Sequence, residues 1–203
     1  MRRMRNVENI YREIIDMVDE NSQVLDLGCG SGELLYRLEK EKNVRGEGID
    51  ISEKMILECI KKGISVIQED MNQTLENYRN REYDTAVLSQ TLQESQRPDY
   101  VLKHIVRIAR RGVVAFPNFG YIKTRLYILF RGKMPKSKIL PYDWHDTPNI
   151  HLLTIKDFRE FCRKNGILIL KEAYLDGKGK KKKYIKGFEN LFAQEAVFLV
   201  RKR

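Results

Sequence analysis

Two hydrophobic periods alternate along the first part of the chain, up to Phe116. Short, mostly apolar runs are typical of buried strands, and apolar residues spaced three and four positions apart are typical of helices on a core. The run from Tyr83 to Ser89 is largely apolar, which indicates a parallel strand covered on both faces. The predicted strands of this part are Gln23–Leu27, Val44–Asp50, Ile64–Gln68, Tyr83–Ser89 and Gly112–Phe116.

Helical segments separate these strands. Ser52 is a suitable N-cap for one of them, Gly63 ends it, and Pro98 favours the first turn of another. Strands that alternate with helices in this way predict an α/β fold with a doubly wound, mostly parallel sheet. The predicted helices are Val7–Asp19, Gly32–Glu41, Glu53–Lys62, Pro98–Arg110, Tyr121–Arg131 and, opened by a capping-box sequence, Thr154–Asn165.

The pattern changes after Phe116. Residues 133–152 show no regular period and contain three of the five prolines. Two further strand patterns, Ile167–Tyr174 and Gln194–Arg201, predict an antiparallel C-terminal hairpin, joined by a lysine-rich segment. We therefore predict one domain, 1–203, in which 120–152 forms an inserted helix followed by a lid or a partner-binding loop.

The first strand runs into a glycine-rich turn. The sequence Val24-Leu25-Asp26-Leu27-Gly28-Cys29-Gly30-Ser31-Gly32 places an acidic residue just before three glycines, and a helix follows directly. Glycines let a backbone approach a ligand closely, and a helix N-terminus offers unpaired N–H groups. An ordinary strand-to-helix turn has the same signature, so the glycines alone do not identify a ligand site.

An acidic residue at the end of the second strand adds to this signal. Asp50 follows the turn by about 20 residues, a distance at which a carboxylate binds ribose hydroxyls. A dinucleotide site has the spacing G-x-G-x-x-G, whereas here the third glycine comes one residue earlier. The carboxylate of Asp26 would repel a pyrophosphate and would suit a cationic ammonium or sulfonium group.

This pattern resembles the S-adenosylmethionine site of class I methyltransferases. The resemblance implies a Rossmann-like fold in which Asp26 and Gly28 face the methionine moiety and Asp50 binds the ribose. It places Asp70 against the adenine amino group, although an aspartate at this point also suits an N-cap or a turn. The remaining candidate contacts to S-adenosylmethionine or S-adenosylhomocysteine are Gly30, Gly32 and Ser89.

Composition narrows the class of protein. With 42% hydrophobic and 33% charged residues in 203, the chain is typical of a soluble globular domain. No apolar run reaches the ~18 residues of a membrane span, and the basic N-terminus lacks the apolar stretch of a secretory signal. Cys29, Cys59 and Cys162 are too scattered for a disulfide framework or a zinc site. These features predict a cytoplasmic protein with no metal and no membrane partner.

The net charge of +10 makes nucleic acid a candidate partner. Two clusters carry much of the excess, and a solvated basic loop would explain either of them. Neither cluster shows the regular aromatic interleaving of a base-stacking surface. The clusters are Lys123, Arg125, Arg131, Lys133, Lys136 and Lys138, and Lys178, Lys180, Lys181, Lys182 and Lys183.

One segment without a regular period has an unusual composition. Leu140-Pro141-Tyr142-Asp143-Trp144-His145-Asp146-Thr147-Pro148-Asn149-Ile150-His151 holds the single tryptophan and two of the three histidines. Together with Ser89-Gln90-Thr91-Leu92-Gln93 and Phe116-Pro117-Asn118-Phe119-Gly120, it closely resembles the MetW family of methionine-biosynthesis proteins. The resemblance extends from about Ser22 to Gly177.

The resemblance implies a partner as well as a fold. MetW proteins support homoserine O-acetyltransferase as physical partners in some bacteria, so we expect that enzyme as the protein partner here. We assign residues 140–151 to the surface that meets the enzyme or covers the cofactor pocket. Methyl transfer by the family is itself an inference from the fold, so the resemblance does not establish that this chain is an enzyme.

Methyl transfer needs alignment of the two reactants and, for a protonated nucleophile, a base. The candidate catalytic residues are His151, which is the best base by residue type, Gln90 and Tyr142. A histidine here that pairs with Asp146 or with a backbone carbonyl would instead have a packing role. Further polar candidates near these positions are Gln93, Asp143 and His145.

Three functions stay open at this point. The first is a MetW-like protein that binds the cofactor and supports homoserine acetylation, with the cofactor as substrate or as sensed metabolite. The second is a methyltransferase that acts on a small molecule. The third is an RNA methyltransferase, which the charge favours. The absence of an Asn/Asp-Pro-Pro-aromatic motif after the fourth strand, and of a Pro-Cys nucleophile, argues against it.

Overall fold

The computed structural model describes residues 2–137 and 140–203. Lys138, which the sequence places in the first basic cluster, lies outside the described residues. Seven strands form one sheet in the order β3-β2-β1-β4-β5-β7-β6. The strands are β1 (Gln23–Leu27), β2 (Arg45–Asp50), β3 (Ser65–Gln68), β4 (Tyr83–Ser89), β5 (Ala109–Pro117), β6 (Ile167–Leu175) and β7 (Glu195–Lys202).

The first five strands are parallel, and the last two are not. β1 pairs in parallel with β2 on one side and with β4 on the other. β7 lies antiparallel between β5 and β6, so the C-terminal strands form the antiparallel pair that the sequence predicts. The predicted α/β fold class is thereby confirmed.

Within the described residues, seven α-helices connect or flank the strands, and two short 3-10 helices lie at Leu75–Asn77 and Leu92–Glu94. The predicted capping box is present at the start of the sixth helix, where the side chains of Thr154 and Asp157 each accept the other residue's backbone N–H. The helices are α1 (Arg2–Ile15), α2 (Glu33–Lys42), α3 (Glu53–Lys61), α4 (Pro98–Ile108), α5 (Ile122–Arg131), α6 (Ile155–Lys164) and α7 (Glu189–Phe192).

The boundary between α4 and β5 differs from the prediction. The helix was expected to reach Arg110, but it ends at Ile108, and β5 begins at Ala109 instead of Gly112. Ala109 and Arg111 pair with Tyr83 and Thr85 of β4, so sheet pairing overrides the helical preference of alanine and arginine. The sequence also gave no signal for α7, which has only four residues.

Apolar side chains cover the sheet on both faces. One core layer joins α1, α2 and α3 to side chains such as Val24 and Val87. The other joins α4 and α6 to Leu25, Leu27 and Phe116. Within the described ranges, no helix is long and apolar enough to span a bilayer.

The topology creates a crevice at one edge of the sheet. From β1 the chain proceeds outward to β2 and β3, and it then returns to the other side of β1 through β4 and β5. In open α/β sheets, ligands bind outside the carboxyl ends of the strands where the strand order reverses in this way. The candidate residues Asp50, Asp70 and Ser89 end or follow strands at this edge.

Candidate functional site

The glycine turn between β1 and α2 has a backbone that requires glycine. Gly28, Gly30 and Gly32 have φ angles of +73°, +54° and +71°. A Cβ on Gly28 would lie 2.5 Å from Cγ2 of Thr91, whereas a Cβ on Gly30 would meet no atom within 4 Å. Thus Gly28 permits close packing against the residues after β4, and Gly30 leaves its backbone open to a ligand.

Asp50 holds this turn in place. Its Oδ2 accepts a hydrogen bond from the Gly30 N–H at 2.8 Å, and its Oδ1 accepts one from the Ser52 N–H at 2.9 Å. The N–H groups of Gly28 and Cys29 also donate to the carbonyl of Ile49, at 2.8 and 3.0 Å. An ionised carboxylate has about four acceptor positions, so Asp50 retains capacity for two ligand hydroxyls.

A cleft of about 480 Å³ lies at the carboxyl ends of the strands beside this turn. Four carboxylates line it, and no lysine, arginine or histidine does. A chain with a net charge of +10 therefore presents a locally acidic cleft. The lining residues are Gly28, Gly30, Ile49, Asp50, Ile51, Glu69, Asp70, Met71, Asn72, Ser89, Gln90, Thr91, Glu94 and Gln96.

Asp70 lines the cleft and also organises a turn. Its carboxylate accepts hydrogen bonds from the backbone and side-chain nitrogens of Asn72, at 2.9 and 2.8 Å, and from Nε2 of Gln73 at 2.9 Å. Burial alone would raise the pKa of Asp70, but these hydrogen bonds outweigh it and place the pKa below its ordinary value. The turn role that the sequence left open is therefore present.

Asp26 is buried rather than exposed in the cleft. Its side chain is 2% exposed, and Oδ1 has no hydrogen-bond partner. Burial, and then the negative charge of Asp50, raise the pKa of Asp26 from 3.8 to about 7. Only Leu27 separates Asp26 from Gly28 of the cleft-lining turn. No basic side chain of the described residues acts on the pKa of Asp26 to offset the effects of burial and Asp50.

The motif Ser89–Gln93 forms a wall of the cleft. Gln90 has a φ of +61°, which is strained for a residue other than glycine. Its carbonyl accepts a hydrogen bond from Nε2 of Gln93 at 2.5 Å, while the carbonyl of Gln93 accepts from the N–H groups of Ile150 and His151, at 2.9 and 3.0 Å. Nε2 of Gln90 and Oε1 of Gln93 are buried without partners. The strained turn thus joins the cleft to residues 150–151.

The three candidate catalytic residues are not brought together. Gln90 lines the cleft, but His151 lines a separate cavity of about 300 Å³ together with Leu92. Tyr142 is part of neither lining. This second cavity is mostly apolar, with walls contributed by α4, α6 and Leu152.

Residues 140–151 lie over the protein surface. Trp144 is 78% exposed and stacks edge-on with His145, with ring centroids 5.5 Å apart. The segment is braced by Lys136, whose Nζ donates to Oδ2 of Asp143 at 2.5 Å, and by Asp146, which accepts the Asp143 N–H at 2.7 Å. Trp144 therefore does not anchor the segment to its own domain.

The motif Phe116–Gly120 has a structural role. Asn118 is buried, and its Nδ2 donates to the carbonyls of Asn190 and Ala193 at 3.0 and 2.8 Å. Its Oδ1 accepts the Gly120 N–H at 3.0 Å. The end of β5 is thereby fixed to the segment that precedes β7.

Two lysines of the second basic cluster have acidic partners. Nζ of Lys181 lies 2.5 Å from Oε2 of Glu13, and Nζ of Lys182 lies 3.9 Å from Oδ2 of Asp176. The Lys182–Asp176 pair is partly exposed, and such pairs typically contribute ~0–1 kcal/mol. Glu13 is only 8% exposed, so its pair with Lys181 ties the basic segment to α1. The cluster contributes no residue to the cleft.

The sequence interpretation missed some of the cleft residues. Glu69 precedes Asp70 at the end of β3, and Thr91 and Glu94 follow Ser89. Their position directly after parallel strands was a usable signal, because all such strand ends meet at one edge. Gln96 comes later in the connection to α4, and its position in the cleft depends on the course of that connection.

Comparisons with known proteins are in agreement with this architecture. The family model described as "Methionine biosynthesis protein MetW" matches residues 8–200. A bifunctional methionine biosynthesis protein MetXA/MetW from Rhodopirellula baltica is 30% identical over 172 residues, which is 80% of this chain. The match spans only 28% of that relative's length.

Solved structures show the same fold. A SAM-dependent methyltransferase from Archaeoglobus fulgidus has a TM-score of 0.71 and 19% identity, over 98% of this chain and 94% of that one. A TehB-like SAM-dependent methyltransferase from Corynebacterium glutamicum has a TM-score of 0.63 and 16% identity, over 96% of this chain and 88% of that one. At these identities the likeness shows the fold alone.

Proposed function

The chain belongs to the MetW family of methionine biosynthesis proteins, and from that premise we propose that it binds S-adenosylmethionine or S-adenosylhomocysteine and supports homoserine O-acetyltransferase. The observation that carries the cofactor assignment is the acidic cleft beside the glycine turn. The partner assignment rests on the name of the Rhodopirellula relative, which joins a MetXA part to a MetW part. We further propose that the protein acts in the cytoplasm.

The residues of the cleft fit the adenosyl cofactor. Asp50 offers free acceptor positions for two ribose hydroxyls, and the space beside the Gly30 backbone is open, with no atom within 4 Å of where a Cβ would stand. Asp26 is an ionisable group, buried beside the turn, that a nearby sulfonium or ammonium group would stabilise in its charged form. Of the other candidate contacts that the sequence indicates, Gly28, Asp70 and Ser89 line the cleft, whereas Gly32 caps α2 and packs against Cys59.

The same cleft is unsuited to dinucleotides. Four carboxylates would face the phosphates of NAD without a lysine or arginine to neutralise them. Isothermal calorimetry with S-adenosylmethionine, S-adenosylhomocysteine and NAD tests the assignment. We expect heat from an adenosyl compound and none from NAD. NAD binding with no response to either adenosyl compound would overturn the assignment.

The exposed segment 140–151 is the surface that we assign to the acetyltransferase. Trp144 is of a residue type that dominates interface energetics when it becomes buried, and here it is accessible. Trp144→Ala and His151→Ala should weaken binding of the purified acetyltransferase, and its stimulation, while thermal unfolding stays cooperative. Ile185→Ala, at an equally exposed apolar position elsewhere, is the matched control.

The Gln90–Gln93 turn supports a sensing role for the cofactor. It is the wall of the cleft on one side and the anchor of residues 150–151 on the other, through the bonds to the carbonyl of Gln93. A ligand that favours one geometry of this turn would shift the segment at the surface, and such couplings are typically ~1–3 kcal/mol. We expect the affinity for the acetyltransferase to change when S-adenosylmethionine is added.

A methyltransferase acting on a small molecule is the second candidate. The apolar cavity with His151 at its wall favours it, because the 3-10 helix at Leu92–Glu94 contributes Leu92 to that cavity and Glu94 to the cofactor cleft. The test is release of S-adenosylhomocysteine on incubation with candidate acceptors, with His151→Ala as the comparison. An RNA substrate has less support, since the acidic cleft would repel a phosphate backbone.

A further inference from the structure

Helix α5 has an apolar face that no other part of the described fold covers. None of the side chains of α5 is buried within the described part of the chain, although five consecutive large apolar residues occupy positions 126–130. Leu129 and Phe130 are 73% and 77% exposed. With Leu126 they have the i, i+3, i+4 spacing that places three side chains on one face.

Such a helix needs packing that the monomer does not provide. Isolated helices shorter than ~12–15 residues are marginal in water, and α5 has ten. Its first turn is attached to the body through the Arg125 Nε, which donates to the Gly120 carbonyl at 2.6 Å. Beyond that turn, the apolar face of α5 is open to solvent. Exposed apolar faces of this extent mark sites of interaction.

α5 is continuous with the segment already assigned to the partner. Tyr121 and Thr124 share a small cavity with Ser137 and Leu140, so one face of the helix adjoins the start of the exposed segment. Met134, between them, is also exposed. The helix and the segment thus form one surface, which we call the α5 surface: residues 121–137 and 140–151.

The positive charge of the α5 surface indicates which kind of partner could bind there. Residues 120–137 contain five lysines and arginines and no acidic residue. The first acidic residue after them, Asp143, pairs with Lys136. A second copy of the chain would oppose these cations with the same cations, so self-association through this face is disfavoured. An apolar surface rimmed by carboxylates would satisfy both the apolar face and the charge.

We propose that the α5 surface is the docking site for an apolar, acid-rimmed face of homoserine O-acetyltransferase, with Leu129 and Phe130 as its anchors. This inference rests on the proposed function, because it names where the proposed partner binds. Buried aromatic and aliphatic anchors supply most of the energy of protein interfaces, and peripheral charges mainly set association rate and specificity.

The test uses the full chain, the purified acetyltransferase and calorimetry or surface plasmon resonance. The double variant Leu129→Ser/Phe130→Ser should weaken binding at least tenfold. The control Ile60→Ser/Ile185→Ser, which removes two apolar side chains from α3 and from the basic loop, should bind within about twofold of wild type. Arg131→Glu/Lys133→Glu should slow association and reduce its salt dependence. All variants should bind S-adenosylmethionine like wild type.

Each contrary outcome has a distinct meaning. If wild type binds the acetyltransferase and Leu129→Ser/Phe130→Ser binds equally well, the proposed function stands and this docking site is wrong. If wild type does not bind the enzyme at all, the partner assignment fails and the docking proposal fails with it. A wild-type dimer that the double variant converts to a monomer would make the occupant a second copy of the chain. Binding to anionic phosphatidylserine vesicles that the double variant abolishes, with acetyltransferase binding unchanged, would make it a membrane surface.

Discussion

Replacing Asp26 with asparagine should stabilise the ligand-free protein at neutral and alkaline pH. The carboxyl is buried beside Asp50, and both effects disfavour its charged form. An amide of nearly the same shape removes that charge. The wild-type carboxylate is then an example of a destabilising group retained beside the proposed ligand site.

The raised pKa of Asp26 sets the direction and the magnitude of this change in the free energy of unfolding. In the unfolded chain Asp26 titrates near 3.8, and in the folded chain at about 7. Between these values the folded state binds the proton more tightly, so the free energy of unfolding of the wild type falls as pH rises, until the penalty is complete above about 7. At ~1.36 kcal/mol per pH unit, about two units between pH 5 and 7 correspond to a loss of roughly 3 kcal/mol relative to the variant.

Urea unfolding followed by circular dichroism at pH 5 and pH 8 measures this difference. The comparison between two pH values cancels any constant effect of the buried amide, which is itself ~1–3 kcal/mol. We also expect Asp26→Asn to weaken binding of S-adenosylmethionine, and wild-type affinity to rise with pH through about 7. A stability difference between wild type and variant that stays constant from pH 5 to pH 8 would refute the reasoning.

Further variants test the cleft and the basic segment outside it. Asp50→Ala should weaken cofactor binding more than Asp70→Ala in calorimetry. Asp50 fixes the turn, and in the proposed site it would also accept two ribose hydroxyls, at ~1.5–3 kcal/mol per charged hydrogen bond. Equal or reversed losses would mean that the two roles are misassigned. Gly28→Ala should lower the melting temperature, since its Cβ would clash with Thr91 and its φ is positive; an unchanged melting temperature would contradict the packing argument. Serine in place of the lysines in Lys178–Lys183 should leave cofactor affinity within about threefold; steep, salt-dependent RNA binding that this change removes would favour an RNA substrate.

The sheet could be predicted from the sequence because its signals are local. The strands near the glycine turn have apolar runs bounded by glycine or by acidic residues, and β1 and β4 lie where their patterns place them. The predicted end of α4 was wrong because a long-range interaction, the pairing of Ala109 with Tyr83 of β4, competes with the local helical preference. No local pattern of residues reports such a pairing.

The candidate site was predictable in part for the same reason. Gly28, Asp50 and Asp70 line the cleft because each ends or follows a strand at the same edge of the sheet, although their ligand contacts stay predictions. The burial of Asp26 and the strained turn at Gln90 were not predictable, since they depend on how neighbouring strands and connections pack. The exposure of α5 was not predictable either, because its apolar residues are equally consistent with a helix packed on the core and with an exposed one.

The most direct test of the account is the rate of homoserine acetylation by homoserine O-acetyltransferase from the same organism. Turnover is measured for the enzyme alone, with this protein, and with this protein plus S-adenosylmethionine. The account predicts that this protein raises turnover in proportion to the complex formed, and that S-adenosylmethionine changes the stimulation. Turnover that is the same in all three mixtures, with the protein folded and able to bind the cofactor, would contradict it.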